Sequence, residues 1–133
     1  LKEILKRWIM YADNDLKVAQ HEIKNEDCVV NAVCFHAQQC VEKYLKAFLI
    51  FHDKPIVKTH DIALLLKHCI EIDPDFKKLE EMGVQELTVY SVQSRYPDFF
   101  YEITIEDAKE AIRIAQKVKR FVRKKLREKG FKI

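Results

Sequence analysis

Three short stretches of this chain carry side chains that can bind or move charge. Arg95-Tyr96-Pro97-Asp98 offers a planar guanidinium fork able to grip a phosphate. Pro97 stiffens that turn and bars helix at Tyr96. Arg95 equally suits a salt bridge, to Asp98 or to an acid on a neighbouring helix, and this structural use is the first reading. Thr59-His60-Asp61 puts His60 directly after a candidate helix cap, the best place in the chain for a histidine with a task. The plainer alternative, which we prefer, packs its ring on a neighbouring helix and hydrogen-bonds a local backbone group. Gln38-Gln39-x-x-Glu42-Lys43 lines up amide and ammonium donors that could recognise a base or a phosphate. It also reads as a solvated face, with Lys46 at i+4 from Glu42. A third use, an interface with a second copy to which Phe35 contributes, is the one we favour.

Two other groups call for chemistry of their own. His36 and Cys40 stand one helical turn apart and could chelate a metal, with Cys34 near in sequence but pointing elsewhere. No Cys-x-x-Cys pair exists, so the cysteines read as small buried hydrophobes, and no metal or cofactor is expected. Lys109, Arg113, Lys117, Arg120, Lys124 and Arg127 form one row on a helix, with few acids among them after Glu110. Such a row is a solvated surface or a contact for nucleic acid or an acidic partner.

The apolar pattern supplies the elements that must hold these groups. Leu5, Trp8, Ile9, Ala12, Leu16, Ala19 and Ile23 recur at spacings of three and four, which predicts a helix from about Lys2 to Lys24. A second helix, about Cys28 to Phe51, is apolar from Val29 to Phe48 over half its circumference and should lie centrally. Its other face holds Asn31, Phe35, Gln38, Gln39, Glu42 and Lys46. Thr59 is read as the cap of a short third helix with Asp61 in its first turn, burying Ile62, Leu65, Leu66 and Cys69. Asp73-Pro74 opens a fourth helical region that runs to about Ser94 and breaks near Gly83. Thr104, with Glu106 and Asp107 behind it, starts a last helix to Lys129 whose buried stripe runs Ile105, Ala108, Ala111, Ile112, Ala115, Val118, Val122 and Leu126.

Bulk composition agrees. The 133 residues, 48% of them hydrophobic, suit one domain over residues 1–133. Two glycines and three prolines leave little turn chemistry for a many-stranded sheet. No run is long and apolar enough for a membrane span, and a soluble cytoplasmic protein with reduced thiols is expected. The net charge of +3 divides unevenly: residues 117–133, a basic helix end and tail, hold nine Lys or Arg and one acid.

Trp8, Ala12, Asp15-Leu16 and Ala19, then Gln38-Gln39-Cys40-Val41-Glu42-Lys43-Tyr44-Leu45-Lys46-Ala47, Thr59-His60-Asp61 and Arg95-Tyr96-Pro97-Asp98, stand in an order that resembles the HEPN family from Trp8 to about Ala115. The resemblance implies an all-α, up-and-down bundle of four main helices plus a short extra one, acting as a homodimer. It also implies a non-catalytic or weakly active, nucleotide- or RNA-binding partner of a separately encoded minimal nucleotidyltransferase, in a toxin–antitoxin-like pair. Family members that cleave RNA resemble one another in an Arg followed, after four to six intervening residues, by a His. Arg95 takes the Arg position, but Phe100, Tyr101 and Glu102 stand where the His would fall, and no His follows His68. Catalysis would therefore need Arg95 with a stand-in such as Glu102, Tyr101 or His60. Ligand contacts are expected from Arg95, Tyr96, Asp98, His60, Gln39 and Lys43. The alternatives are an RNase toxin with an altered active site and a helical dimeric interaction module without a ligand.

Overall fold

A stripe of Leu5, Ile9, Ala12, Leu16 and Ala19, each nearly or fully buried, fixes the inner face of the first helix. That helix, α1 (Lys2–Glu22), ends when the Glu22 carboxylate turns to accept the backbone N–H of Val29 at 2.8 Å. The capture shapes the turn and delays α2 (Val30–Phe51) by two residues from its expected start. Val29 is left exposed as the residue before the helix. The computed structural model describes residues 2–91, 96–98 and 102–133.

α2 is the axis of the fold. It packs on α1, on α3 (Ile62–Ile72) and on α5 (Ile105–Glu128), as its wide apolar arc requires. Val33, Cys34, Ala37, Cys40, Val41, Tyr44, Leu45, Ala47 and Phe48 are all buried. The fourth helical region is divided. Pro74–Phe76 forms a 3-10 turn capped by Asp73, and α4 (Lys77–Glu81) follows it. Gly83, at φ 81°, then breaks the run before a 3-10 segment, Val84–Tyr90. A side chain at Gly83 would strain that left-handed backbone and press on the Glu86 carboxylate at 3.1 Å. The short turn matters because Phe76 is fully buried between Phe48 of α2, centroids 4.4 Å apart, and Phe121 of α5, at 4.9 Å. All described elements are helical, and the chain is an all-α bundle.

Two helix starts correct finer expectations. The cap of α3 is Asp61, whose carboxylate accepts the N–H of Ala63, and Thr59 serves one step back by accepting from Asp61 N. Ile62 N–H goes to Thr88 Oγ1 at 3.0 Å, so His60 precedes the helix rather than beginning it. α5 opens with the expected Thr104 cap, completed by Asp107 as a reciprocal capping box. Ile105, expected in the core, is 38% exposed on the first turn, and Ile103 and Ile114 are buried. At the far end Gly130, φ 90°, lets Gly130 N–H reach Arg127 O and Phe131 N–H reach Leu126 O. This paired closure turns the chain back so that Phe131 is buried against Phe51. No described helix is long and apolar enough to cross a membrane.

Candidate functional site

The flank of α2 expected to meet solvent or a second copy is covered within the chain. Gln38, Glu42 and Lys46 follow one another at i, i+4 and i+8, and each is less than a tenth exposed. A carboxylate there must be compensated, and Glu42 is. Its Oε2 accepts from Lys46 Nζ at 3.0 Å, and its Oε1 from Gln38 Nε2 at 3.1 Å. Oε1 also receives His60 Nδ1 at 2.8 Å. Gln38 in turn accepts from Gln39 Nε2 at 2.7 Å, and the Lys46 ammonium lies 5.9 Å from the centre of the Trp8 ring. The solvated-face reading of this segment is thus corrected: the loop before α3 and the Trp8 side of α1 close over it. His60 does lie on α2, but its partner is this carboxylate and not the backbone group expected.

A second buried carboxylate is Asp15, which the sequence marks as part of the family resemblance without showing its partners. Asp15, 9% exposed, accepts from Lys43 Nζ at 2.5 Å and meets His36 Nδ1 at 2.8 Å. His36, the candidate metal ligand, is thereby committed to α1. Cys34 and Cys40 are buried; burial first, and then the charge of Asp107, pushes the Cys34 thiol up to about 12. Asp13, two residues from Asp15, faces the opposite side of α1. There it takes the Tyr44 hydroxyl and the cations Lys119 and Arg123 of α5. Burial, and then the Asp13 hydrogen bond, raise the Tyr44 phenol well above its ordinary range. A polar residue amid the α1 apolar stripe was the sequence signal for Asp15. For Glu42 it was the Lys46 spacing on a helix with little room for a wet face.

Beside the Glu42 cluster Arg7, Trp8, Tyr11 and Lys43 line an open cavity of about 230 Å³. Two cations and two aromatic rings in one concavity suit a ligand with a planar group and a negative charge. The structure therefore joins Gln39 and His60 through Gln38 and Glu42, and places Lys43, held by Asp15, at the cavity whose Trp8 meets Lys46 of that cluster. Arg95 and Tyr101 lie outside the described residues. Tyr96, Asp98 and Glu102 are exposed, and Asp98 has no ion-pair partner among the described residues.

The basic row on α5 separates into two paired and four unpaired cations among the described residues. Lys109 pairs with Glu106 at 3.7 Å and Arg113 with Glu110, whereas Lys117, Arg120, Lys124 and Arg127 have no ion pair among the described residues. Lys125, off the row, is held by Asp73 and Asp75 at 2.8 and 2.6 Å.

Comparison with known proteins places this arrangement in a family. A solved structure, TT1696 from Thermus thermophilus, superposes with a TM-score of 0.76 at 29% identity, over 92% of this chain and 98% of that one. A Methanocaldococcus jannaschii protein named "Putative toxin MJ1304" is 30% identical over 138 aligned positions, which cover 93% of this chain and 89% of that protein. The HEPN domain family matches residues 5–125, so the segment that holds the Glu42 cluster, the cavity and nearly all of the bundle lies within the match, and the chain belongs to the HEPN family.

Proposed function

We propose that this HEPN protein is the nucleotide- or RNA-binding component of a cytoplasmic toxin–antitoxin pair whose other member is a separately encoded minimal nucleotidyltransferase. The observation that carries the binding reading is the cavity of Arg7, Trp8, Tyr11 and Lys43. An aromatic wall takes a base by stacking at about 1–3 kcal/mol per base, and the flanking cations take its phosphate. The pairing with a nucleotidyltransferase rests on the family and on the toxin named among its relatives. Arg95, Tyr96 and Asp98 enter as further ligand contacts on the resemblance alone.

The working unit is a homodimer. Ile4, Tyr11 and Val18 stand at i, i+7 and i+14 on the outer face of α1 with 52%, 47% and 45% of their surface exposed. A heptad-spaced apolar stripe of this kind suits a facing helix.

The test is co-expression with a minimal nucleotidyltransferase from the same genome, followed by co-purification, light scattering and titration with labelled single-stranded RNA. A stable complex, a dimer of the 15.8 kDa chain and RNA binding weakened by Trp8→Ala are expected. Absence of both the complex and RNA binding sinks the proposal, and a monomer at micromolar concentration sinks the dimer.

A further inference from the structure

At one end of the bundle, cations gather around a hollow that holds no acid among the described residues. The first turn of α1, the end of α2 and the segment after α5 enclose about 390 Å³ there, with Leu5, Phe51 and Phe131 as the floor and Lys2 and Lys129 beside it. Gly130 and Phe131 also border the adjoining hollow, where Arg127 and Lys132 stand. The two are therefore continuous across Gly130, where an added Cβ would meet no atom within 4 Å. The floor is apolar because Leu5 and Phe131 are buried and Phe51 meets the Phe131 ring edge-on. Lys2, Arg127, Lys129 and Lys132 are all exposed, and none has an ion pair among the described residues. Asp73 is near enough for Lys129 to help lower its pKa, but Lys125 already holds its carboxylate at 2.8 Å. Charges of one sign around a low-dielectric hollow focus their field into it, which the same charges on a convex surface do not.

Arg127 belongs both to this hollow and to the unpaired row on α5. Lys117, Arg120, Lys124 and Arg127 span ten residues, about 15 Å of helix, with one cation to each turn or less. Such spacing suits phosphodiesters, which carry one negative charge each. At the hollow four cations converge instead. A phosphate monoester, with a charge of roughly −1.5 to −2 at neutral pH, is the group on a strand that gains most from such a cluster.

On the RNA-binding reading above, we infer that this hollow binds the terminal phosphate of a single-stranded RNA whose backbone follows the α5 row. The monoester sits over Gly130, between Lys2 and Lys129 on one side and Arg127 and Lys132 on the other. The uncharged terminal sugar lies on the floor of Leu5, Phe51 and Phe131. Lys124, Arg120 and Lys117 meet the diesters that follow. The site is one of binding alone, lined by other residues than the cavity of Arg7, Trp8, Tyr11 and Lys43.

The experiment titrates the full chain with one labelled single-stranded RNA in three forms: both ends hydroxyl, 5′-phosphate and 3′-phosphate. At least one phosphorylated form should bind on the order of tenfold more tightly than the hydroxyl form, as one further charge-assisted contact provides. The end preferred gives the direction of the strand along α5. Lys129→Gln with Lys132→Gln, at two exposed positions, should abolish the preference. Its affinity for the hydroxyl form should stay within a few-fold of the parent, with an unchanged thermal midpoint. Lys117→Gln, Arg120→Gln and Lys124→Gln together, with Arg127 kept, should weaken all three forms alike and retain the preference. Equal binding of the three forms overturns the inference and leaves the RNA-binding reading intact. So does a preference that survives in the Lys129 and Lys132 variant. No binding of any form removes both.

Discussion

Glu42→Gln is the most informative single change in this chain. It preserves shape and removes one charge, leaving the Lys46 ammonium, itself only 9% exposed at the side chain, without its counter-charge. The new amide also turns an N–H₂ group towards donors in a cluster where Gln38, Lys46 and His60 all donate to the native carboxylate. An exposed ion pair contributes little, with a median of about 0–1 kcal/mol. Removing one partner of a buried pair costs about 3–5 kcal/mol, because the other charge stays desolvated and alone. For a bundle of this size that is roughly 10–20 °C in thermal midpoint. Urea titration followed by far-ultraviolet circular dichroism measures it, with Glu110→Gln at the exposed Glu110–Arg113 pair as the insensitive comparison. The double variant Glu42→Leu with Lys46→Met removes both charges. It should recover at least half of the loss, since an apolar pair of similar volume avoids the desolvation penalty. A loss under about 1 kcal/mol for Glu42→Gln would refute the argument, as would a double variant no better than the single.

Phe76→Ala, which empties the space between Phe48 and Phe121, should cost about 3–5 kcal/mol although its element is only a three-residue turn, again by urea titration. His52 packs against the rings of Phe48 and Phe51, and its Nε2 is buried without a hydrogen-bond partner among the described residues; burial first, then Lys129, lowers its pKa. The unfolded chain then takes the proton first as pH falls. The stability from His52 is whole above about pH 6.5 and declines below it, by up to roughly 1.4 kcal/mol per pH unit. His52→Phe should gain on the parent between about pH 7 and 5.5, and a constant difference in urea midpoint would exclude this linkage. Changing Lys117, Arg120, Lys124 and Arg127 to Gln should leave the thermal midpoint intact and flatten the salt dependence of RNA binding. Four phosphate contacts correspond to roughly a hundredfold between about 50 and 200 mM salt, and an unchanged slope would mark the row as solvated surface.

The helices, their order and most of their buried faces were already legible in the order of residues. The reason is local: a 3.6-residue period places Leu5 to Ala19, Val33 to Phe48 and Ala108 to Leu126 on single stripes. Caps at Asp73 and Thr104 and the break at Gly83 were legible too, because one or two residues set each of them. The family was legible in the spaced blocks around Glu42, His60 and Arg95, and the match over residues 5–125 agrees. The fate of the polar residues was settled in three dimensions. Periodicity puts Glu42 and Lys46 on a helix face without saying whether water or another segment covers it. Here Trp8 of α1 and the loop carrying His60 cover it, converting a surface pair into a buried one. Asp13 and Asp15, two residues apart, took different partners in the same way: one joins Tyr44 of α2 to Lys119 and Arg123 of α5, and the other holds His36 and Lys43 of α2. The part of the α5 row that is neutralised, Lys109 and Arg113, depends on local acids, Glu106 and Glu110, which the sequence displays. The capture of Lys125 by Asp73 and Asp75 joins residues about fifty positions apart and needed the fold. Long-range partners of charged side chains follow no sequence period, so a helix's polar face becomes a site only when the tertiary structure brings another element against it.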